Sequence, residues 1–241
     1  MRYVASRTRP IIYLPIAKAG LTSTLNAMLW LDTGESLEDP LSIHRRSAEL
    51  FITSRLHPEA LKARFETDKV FTIVRDPLRR AFSLFNEKAV ADHEHAFPFL
   101  KRRLRKNGAS LKPDDDLARR TEDFVIFLRY VGFQARKHRR APENINPHWR
   151  PQSMVLRRAQ NARTPDFVCR TETLSEDFPA FLRWAGVEDQ PPSRRFNEGP
   201  TPTHALSEVA ADPRIHALAR RIFAKDYATL GYALPGLDAG A

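Results

Sequence analysis

The sequence predicts an α/β fold in which a central, mainly parallel sheet is covered on both faces by helices. Three observations carry that expectation. Short apolar runs alternate with longer stretches of helical periodicity. The first run, Ile11 to Ile16, passes through a tight turn straight into a helix. Proline, aspartate and glycine fall where helices in such an arrangement begin and end.

The elements follow in order. Ile11 to Ile16 is bounded by prolines and suits a buried strand. Thr22 to Trp30 has Leu25, Met28 and Leu29 at helical spacing, with Gly34 beyond its end as a stop. "ELFITSRL" is expected as a second strand and "HPEALKARFETD" as a short helix with an early proline. "KVFTIV" is a third strand, ending at "RDPLRRAFSLFNEKAV", where Asp76 caps a helix and Pro77 fits its first turn. "PDFVCRTETL" gives another strand. The helix after it has a Thr173–Glu176 capping box and Gly186 at its end. A Pro-rich loop and a closing helix, "DPRIHALARRIFAKDYATLGY", complete the chain. Between Asp92 and Arg140 the composition turns basic, and one amphipathic helix, "EDFVIFLRYV", stands beside a mobile loop around Asn107 to Asp116. We expect one domain, 1–241, with this region as an insertion.

The 241 residues are 42% hydrophobic and 28% charged, which excludes wholesale disorder. A net charge of +10 favours an anionic partner. The one cysteine, Cys169, lies in an apolar run and forms no intramolecular disulfide. No apolar stretch reaches the roughly 20 residues that span a bilayer. The basic N-terminus carries Pro15 and Lys18 where a leader would want small neutral residues. These signals predict a cytoplasmic protein.

In such sheets ligands bind beyond the carboxyl ends of the strands, where "PIAKAGLTSTL" lies. A helix entered directly from a strand aims unpaired N–H groups and a positive dipole end outward, a fit for phosphate. Gly20 allows the turn, Thr22, Ser23 and Thr24 add hydroxyls, and Lys18 adds charge. A nucleotide triphosphatase loop would need the order G-x-x-x-x-G-K-[ST], but here Lys18 precedes Gly20. Farther on, Arg75 ends a strand and Ser83 follows two helical turns later, so a guanidinium and a hydroxyl suit a second phosphate.

These two segments resemble the 5′-phosphosulfate loop and the 3′-phosphate motif of sulfotransferases. The likeness is closest to the carbohydrate sulfotransferases of the Golgi type and their bacterial relatives. It continues through "HWRPQS", "FVCRTETLSEDFPAFL" and "IFAKDYATLGY", in order along the chain. The resemblance implies a P-loop-like three-layer α/β/α fold. It also implies a donor, 3′-phosphoadenosine 5′-phosphosulfate (PAPS), a product, 3′,5′-adenosine bisphosphate, and no metal. Lys18, Ala19, Gly20, Leu21, Thr22, Ser23 and Thr24 would hold the 5′-phosphosulfate, and Arg75 and Ser83 the 3′-phosphate. Ala17 and Leu21 depart from the family's usual proline and small residue. The implied reaction is in-line sulfuryl transfer to a hydroxyl of a glycan or small-molecule acceptor, with Lys18 stabilising the leaving oxygen.

The acceptor also needs a proton acceptor, for which histidine is suited. His57 is the first candidate, His148 the second, and His44 and Glu87 follow. Arg194 and Arg195 would close over the nucleotide, and Arg150, Arg157 and Arg158 would line an anionic cleft. Trp149 is expected in the core before it is expected on adenine. Two other classes remain: a nucleotide-dependent kinase, and a nucleic-acid-binding protein using "KRRLRK" and "RKHRR". The latter runs lack interleaved aromatics.

Overall fold

The computed structural model describes residues 3–192 and 204–236. Its elements run β1 (Val4–Ala5), β2 (Ile11–Leu14), α1 (Leu21–Thr33), α2 (Ile43–Leu50), β3 (Ile52–Thr53), α3 (Pro58–Arg64) and β4 (Lys69–Val74). There follow α4 (Pro77–Phe85), α5 (Pro98–Arg105), α6 (Leu117–Lys137), α7 (Gln152–Ala159), β5 (Phe167–Arg170) and α8 (Leu174–Trp184). The chain ends with α9 (Leu206–Val209), α10 (Pro213–Ile222) and α11 (Ala224–Leu230). The described residues form two compact units, 3–75 with 155–192 and 76–154 with 204–236.

The first unit holds a five-stranded sheet of order β3-β1-β2-β4-β5. β2, β4 and β5 are parallel, with Leu14 beside Thr72 and Val74 beside Arg170. β1 is antiparallel to both β2 and β3. The sheet is therefore mixed, where a mainly parallel one was expected. The connection from β1 to β2 is only residues 6–10, and a parallel pair needs a crossover of about a dozen residues or more.

Alternate residues build the two faces. Ile12, Leu14 and Val70 share a buried cluster with Leu61 of α3 and Ala159 of α7. Tyr13 and Phe71 stack at 5.0 Å on the other face, and Phe71 meets Phe181 of α8 at 4.3 Å. Helices thus cover both faces of this sheet.

Local signals explain several boundaries. Gly34, at φ 75°, closes α1 by donating to Trp30 O at 2.7 Å. The expected strand "ELFITSRL" shrinks to Ile52–Thr53, because Ile43, Ser47 and Leu50 lie at helical spacing and α2 claims Glu49 and Leu50. The expected Thr173–Glu176 capping box is also absent. Thr173 Oγ1 instead donates to Asp177 Oδ2 at 2.8 Å, and the same carboxylate oxygen accepts from Arg170 N at 2.7 Å.

The second unit is helical and packs around phenylalanines, among them Phe82, Phe85, Phe124 and Phe127. Asp76 caps α4 by accepting from Arg79 N at 2.7 Å, with Pro77 in the first turn. α4 runs into a π turn, Asn86–Val90, closed from Ala91 N to Asn86 O at 2.8 Å. "KRRLRK" lies within and just after α5, and "EDFVIFLRYV" is the middle of the longer α6. The closing helix divides into α10 and α11 at the buried Phe223.

The segment around Asn107 to Asp116, expected as a mobile loop, is tied to α6. The fully buried Asp123 carboxylate accepts from Ser110 N at 2.9 Å and Leu111 N at 2.7 Å. Arg120, 2% exposed, donates to Lys112 O at 2.6 Å. Replacing Asp123 with Ala would leave two backbone donors without their acceptor, so Asp123→Ala should cost about 2–4 kcal/mol in denaturant unfolding. An exposed charge such as Glu94 should be neutral in the same assay.

Candidate active site

The turn after β2 is shaped by two left-handed residues, Lys18 at φ 67° and Gly20 at φ 72°. Between them Ala19 is fully buried, and its N–H reaches back to Ile16 O at 3.3 Å. A Cβ on Gly20 would stand 3.7 Å from Leu174 and 3.9 Å from Thr171, an ordinary contact distance. Glycine is needed there for its backbone angle and not for space. As the N-cap of α1, Gly20 brings no side-chain oxygen to the first-turn N–H groups. That end of a 13-residue helix is thus formed by backbone donors and a dipole beside a lysine.

The hydroxyls of this turn have distinct tasks. Thr24 Oγ1 donates to Gly20 O at 2.9 Å, which closes the first turn and engages its only proton. Thr22 Oγ1 lies 2.8 Å from His44 Nε2. Beneath the turn, Tyr13 is buried beside Thr24 and Ile16, and burial pushes its phenol well above the usual range, so it stays protonated.

Parallel register sends other basic side chains to the same sheet edge. Arg75 follows β4 and Arg170 ends β5, both half-buried, at carboxyl ends one and two strands away from that of β2. Arg170 is a residue the sequence reading missed, although it repeats the strand-then-arginine pattern of Arg75. β3 runs in the same direction as β2, so His57 emerges at this edge two strands away, about 10 Å along the sheet. Its imidazole is engaged locally: Nδ1 accepts from Thr53 N at 3.4 Å and the residue caps α3. In this contact a neutral His57 carries its proton on Nε2. Cys169, fully buried on β5, has its thiol pushed far up by burial and is inert.

The remaining candidates belong to the second unit. Ser83 is half-buried on α4. Arg80, 3% exposed, donates to Arg150 O and His148 O, each at 3.1 Å, and so pins the "HWRPQS" stretch from α4. His148 Nδ1 faces Asn146 Oδ1 at 3.0 Å, and its ring meets Phe97 edge-on at 4.9 Å. An oxygen accepts, so the ring proton sits on Nδ1 and the lone pair on Nε2.

Trp149 is 4% exposed, in the core as expected. Arg150, half-buried, donates to Ile145 O at 2.7 Å and Glu143 O at 3.0 Å. Arg157 and Arg158 are exposed in the last turn of α7. Glu87 is buried in the π turn and pairs with Lys88 at 2.6 Å, and burial lowers the Lys88 pKa. Arg194 and Arg195 lie outside the described residues.

The left-handed backbone at Lys18 is costly for any residue but glycine. Lys18→Gly should therefore gain about 1 kcal/mol in thermal or denaturant unfolding. It should at the same time weaken anion binding to the turn, a separation of stability from binding that an ordinary surface lysine would not give.

No solved structure matches the chain. Among curated proteins it is 29% identical over 210 residues to carbohydrate sulfotransferase 12 of Mus musculus, covering 77% of this chain and 49% of that protein. It is 26% identical over 195 residues to carbohydrate sulfotransferase 11 of Rattus norvegicus, with 76% and 53% covered. Carbohydrate sulfotransferase 14 of Mus musculus is 30% identical over 160 residues, 65% of this chain and 38% of that protein. The chain spans about half the length of these relatives, or less. The model of the sulfotransferase family matches residues 1–233, nearly the whole chain, and the protein belongs to that family.

Proposed function

We propose that the protein transfers the sulfuryl group of PAPS to a carbohydrate hydroxyl, with 3′,5′-adenosine bisphosphate as the other product. The observation that carries this reading is the Lys18–Gly20 turn, where two left-handed residues and an uncapped helix N-terminus converge beyond the end of β2. Family membership supports the reaction, and the relatives' names support a carbohydrate acceptor. The residues fit the donor. The N–H groups of the first turn of α1 would hold the 5′-phosphosulfate oxygens, and Lys18 would neutralise charge on the bridging oxygen as the S–O bond breaks. Arg75 would hold the 3′-phosphate, its guanidinium by paired hydrogen bonds.

The donor supplies an activated sulfuryl group. What the chain must add is orientation, charge and a proton acceptor. Histidine is the side chain suited to the last role near neutral pH, and His57 and His148 are the candidates. A kinase is disfavoured by the order of lysine and glycine in the turn.

Calorimetry with 3′,5′-adenosine bisphosphate, beside ATP with magnesium, tests the assignment. The bisphosphate should bind and magnesium ATP should not compete with it. Arg75→Ala should weaken binding by about 10- to 100-fold through loss of a charge-assisted pair. A preference for magnesium ATP, or no binding of the bisphosphate, would sink the sulfotransferase mechanism.

A further inference from the structure

His44 reaches the proposed donor site through Thr22. Thr22 is the second residue of α1 and 6% exposed, and its Oγ1 stands 2.8 Å from His44 Nε2. The contact is built by other groups. The buried amide of Asn26 donates to Thr22 O at 2.9 Å and to Pro40 O at 3.0 Å, fastening the turn before α2 to the start of α1. Asp39 Oδ1 caps that turn by accepting from Leu41 N at 2.9 Å, and the fully buried Ile43 anchors the entry to α2. His44 itself is on the exposed side of α2, so its imidazole meets solvent as well as Thr22.

A threonine hydroxyl has one proton. If His44 presents a lone pair at Nε2, Thr22 gives that proton to the ring and turns only lone pairs elsewhere, which an anion repels. If Nε2 carries a proton, the ring donates and the hydroxyl proton is released toward the first turn of α1. A neutral imidazole has both arrangements open to it, whereas the imidazolium has only the second and adds a positive charge.

Among the described residues, the neighbouring elements carry these charged groups. α1 carries no ionisable side chain before Asp32, β3 carries none, and the turn before α1 contributes Lys18. On the segment around His44, Arg45 pairs with Asp39 at 3.7 Å and Arg46 with Glu49 at 3.1 Å.

We infer that His44 is a positioning residue of the donor site. It donates from Nε2 to Thr22 Oγ1, aims the Thr22 hydroxyl at the bound anion, and couples anion binding to the uptake of one proton. By linkage, affinity for the anion rises as pH falls through the His44 pKa, and the anion raises that pKa in return. The inference rests on the donor reading above, and its test is arranged to separate the two.

The probe is 3′,5′-adenosine bisphosphate, titrated calorimetrically at pH 6 and pH 8 in buffers of different ionisation enthalpy. The ligand's own phosphates also titrate here, so each variant is compared with wild type at the same pH. In His44→Gln the amide still donates to Thr22 but cannot ionise. It should bind like wild type at pH 8, about fivefold more weakly at pH 6, and without the proton uptake of wild type. His44→Leu should be weaker at both pH values. Thr22→Val, with its melting temperature checked, should bind more weakly and take up less proton. Equal pH dependence and equal proton uptake in wild type and His44→Gln would overturn the role of His44 while leaving the donor site intact. Failure of wild type to bind at either pH would overturn the donor reading on which it rests.

Discussion

Parallel pairing of β2, β4 and β5 is the constraint from which the site follows. It is enforced by backbone ladders and by two side chains that bond across them. The buried Thr72 Oγ1 donates to Leu14 O at 2.8 Å, at the last residue of β2 before the turn. Asp166 Oδ2 accepts from Val70 N at 2.8 Å and is held in turn by Arg163. Each fixes register, and a slip of one residue would exchange the Tyr13–Phe71 face for the Leu14–Val70 face. With register fixed, the strand ends lie side by side and their basic residues gather at one edge. The strained turn at Lys18 persists because Ala19 is buried on one side of it and Thr24 closes the helix on the other.

The second unit uses buried charge differently. Arg80, Arg120, Asp123 and Asp226 are nearly or fully buried, and each bonds to backbone groups. Asp226 accepts from Gln152 N at 2.8 Å and Ser153 N at 2.9 Å, so the "KDY" of one motif holds the "PQS" of another. A buried ion satisfied by main-chain donors or carbonyls orders irregular segments that have no ladder of their own. Exposed pairs such as Arg46–Glu49 contribute far less, because water screens them.

Much of this was legible in the sequence, for identifiable reasons. The glycine stop after α1, the Asp76–Pro77 start of α4 and the turn at Lys18 are local signals, carried by neighbouring residues. The direction of β1 was not, because a two-residue strand has no periodicity to read. Nor was the extent of α2, where Leu50 suits a helix face as well as a strand. The local partners of His57 and His44 were not legible either, because a histidine's partners are set by tertiary contacts. Thr53 lies close in sequence to His57 but bonds only through the geometry of the β3 edge, and Thr22 is 22 residues from His44. Likewise Asp123 reaches back to Ser110 and Leu111, a bond that turns an apparently loose basic stretch into an ordered one.

The sheet also dictates a schedule for how the protein is made. The tie between Thr72 and Leu14 spans 58 residues, and that between Val70 and Asp166 spans 96. On a growing chain the Lys18 turn is synthesised early, yet β4, which pairs with β2, and β5 beyond it arrive later. Until the segment up to Arg170 has been released, β4 lacks its outer neighbour and presents an unpaired apolar edge. A nascent chain thus carries the Lys18 turn long before it carries the strands that complete the sheet behind it.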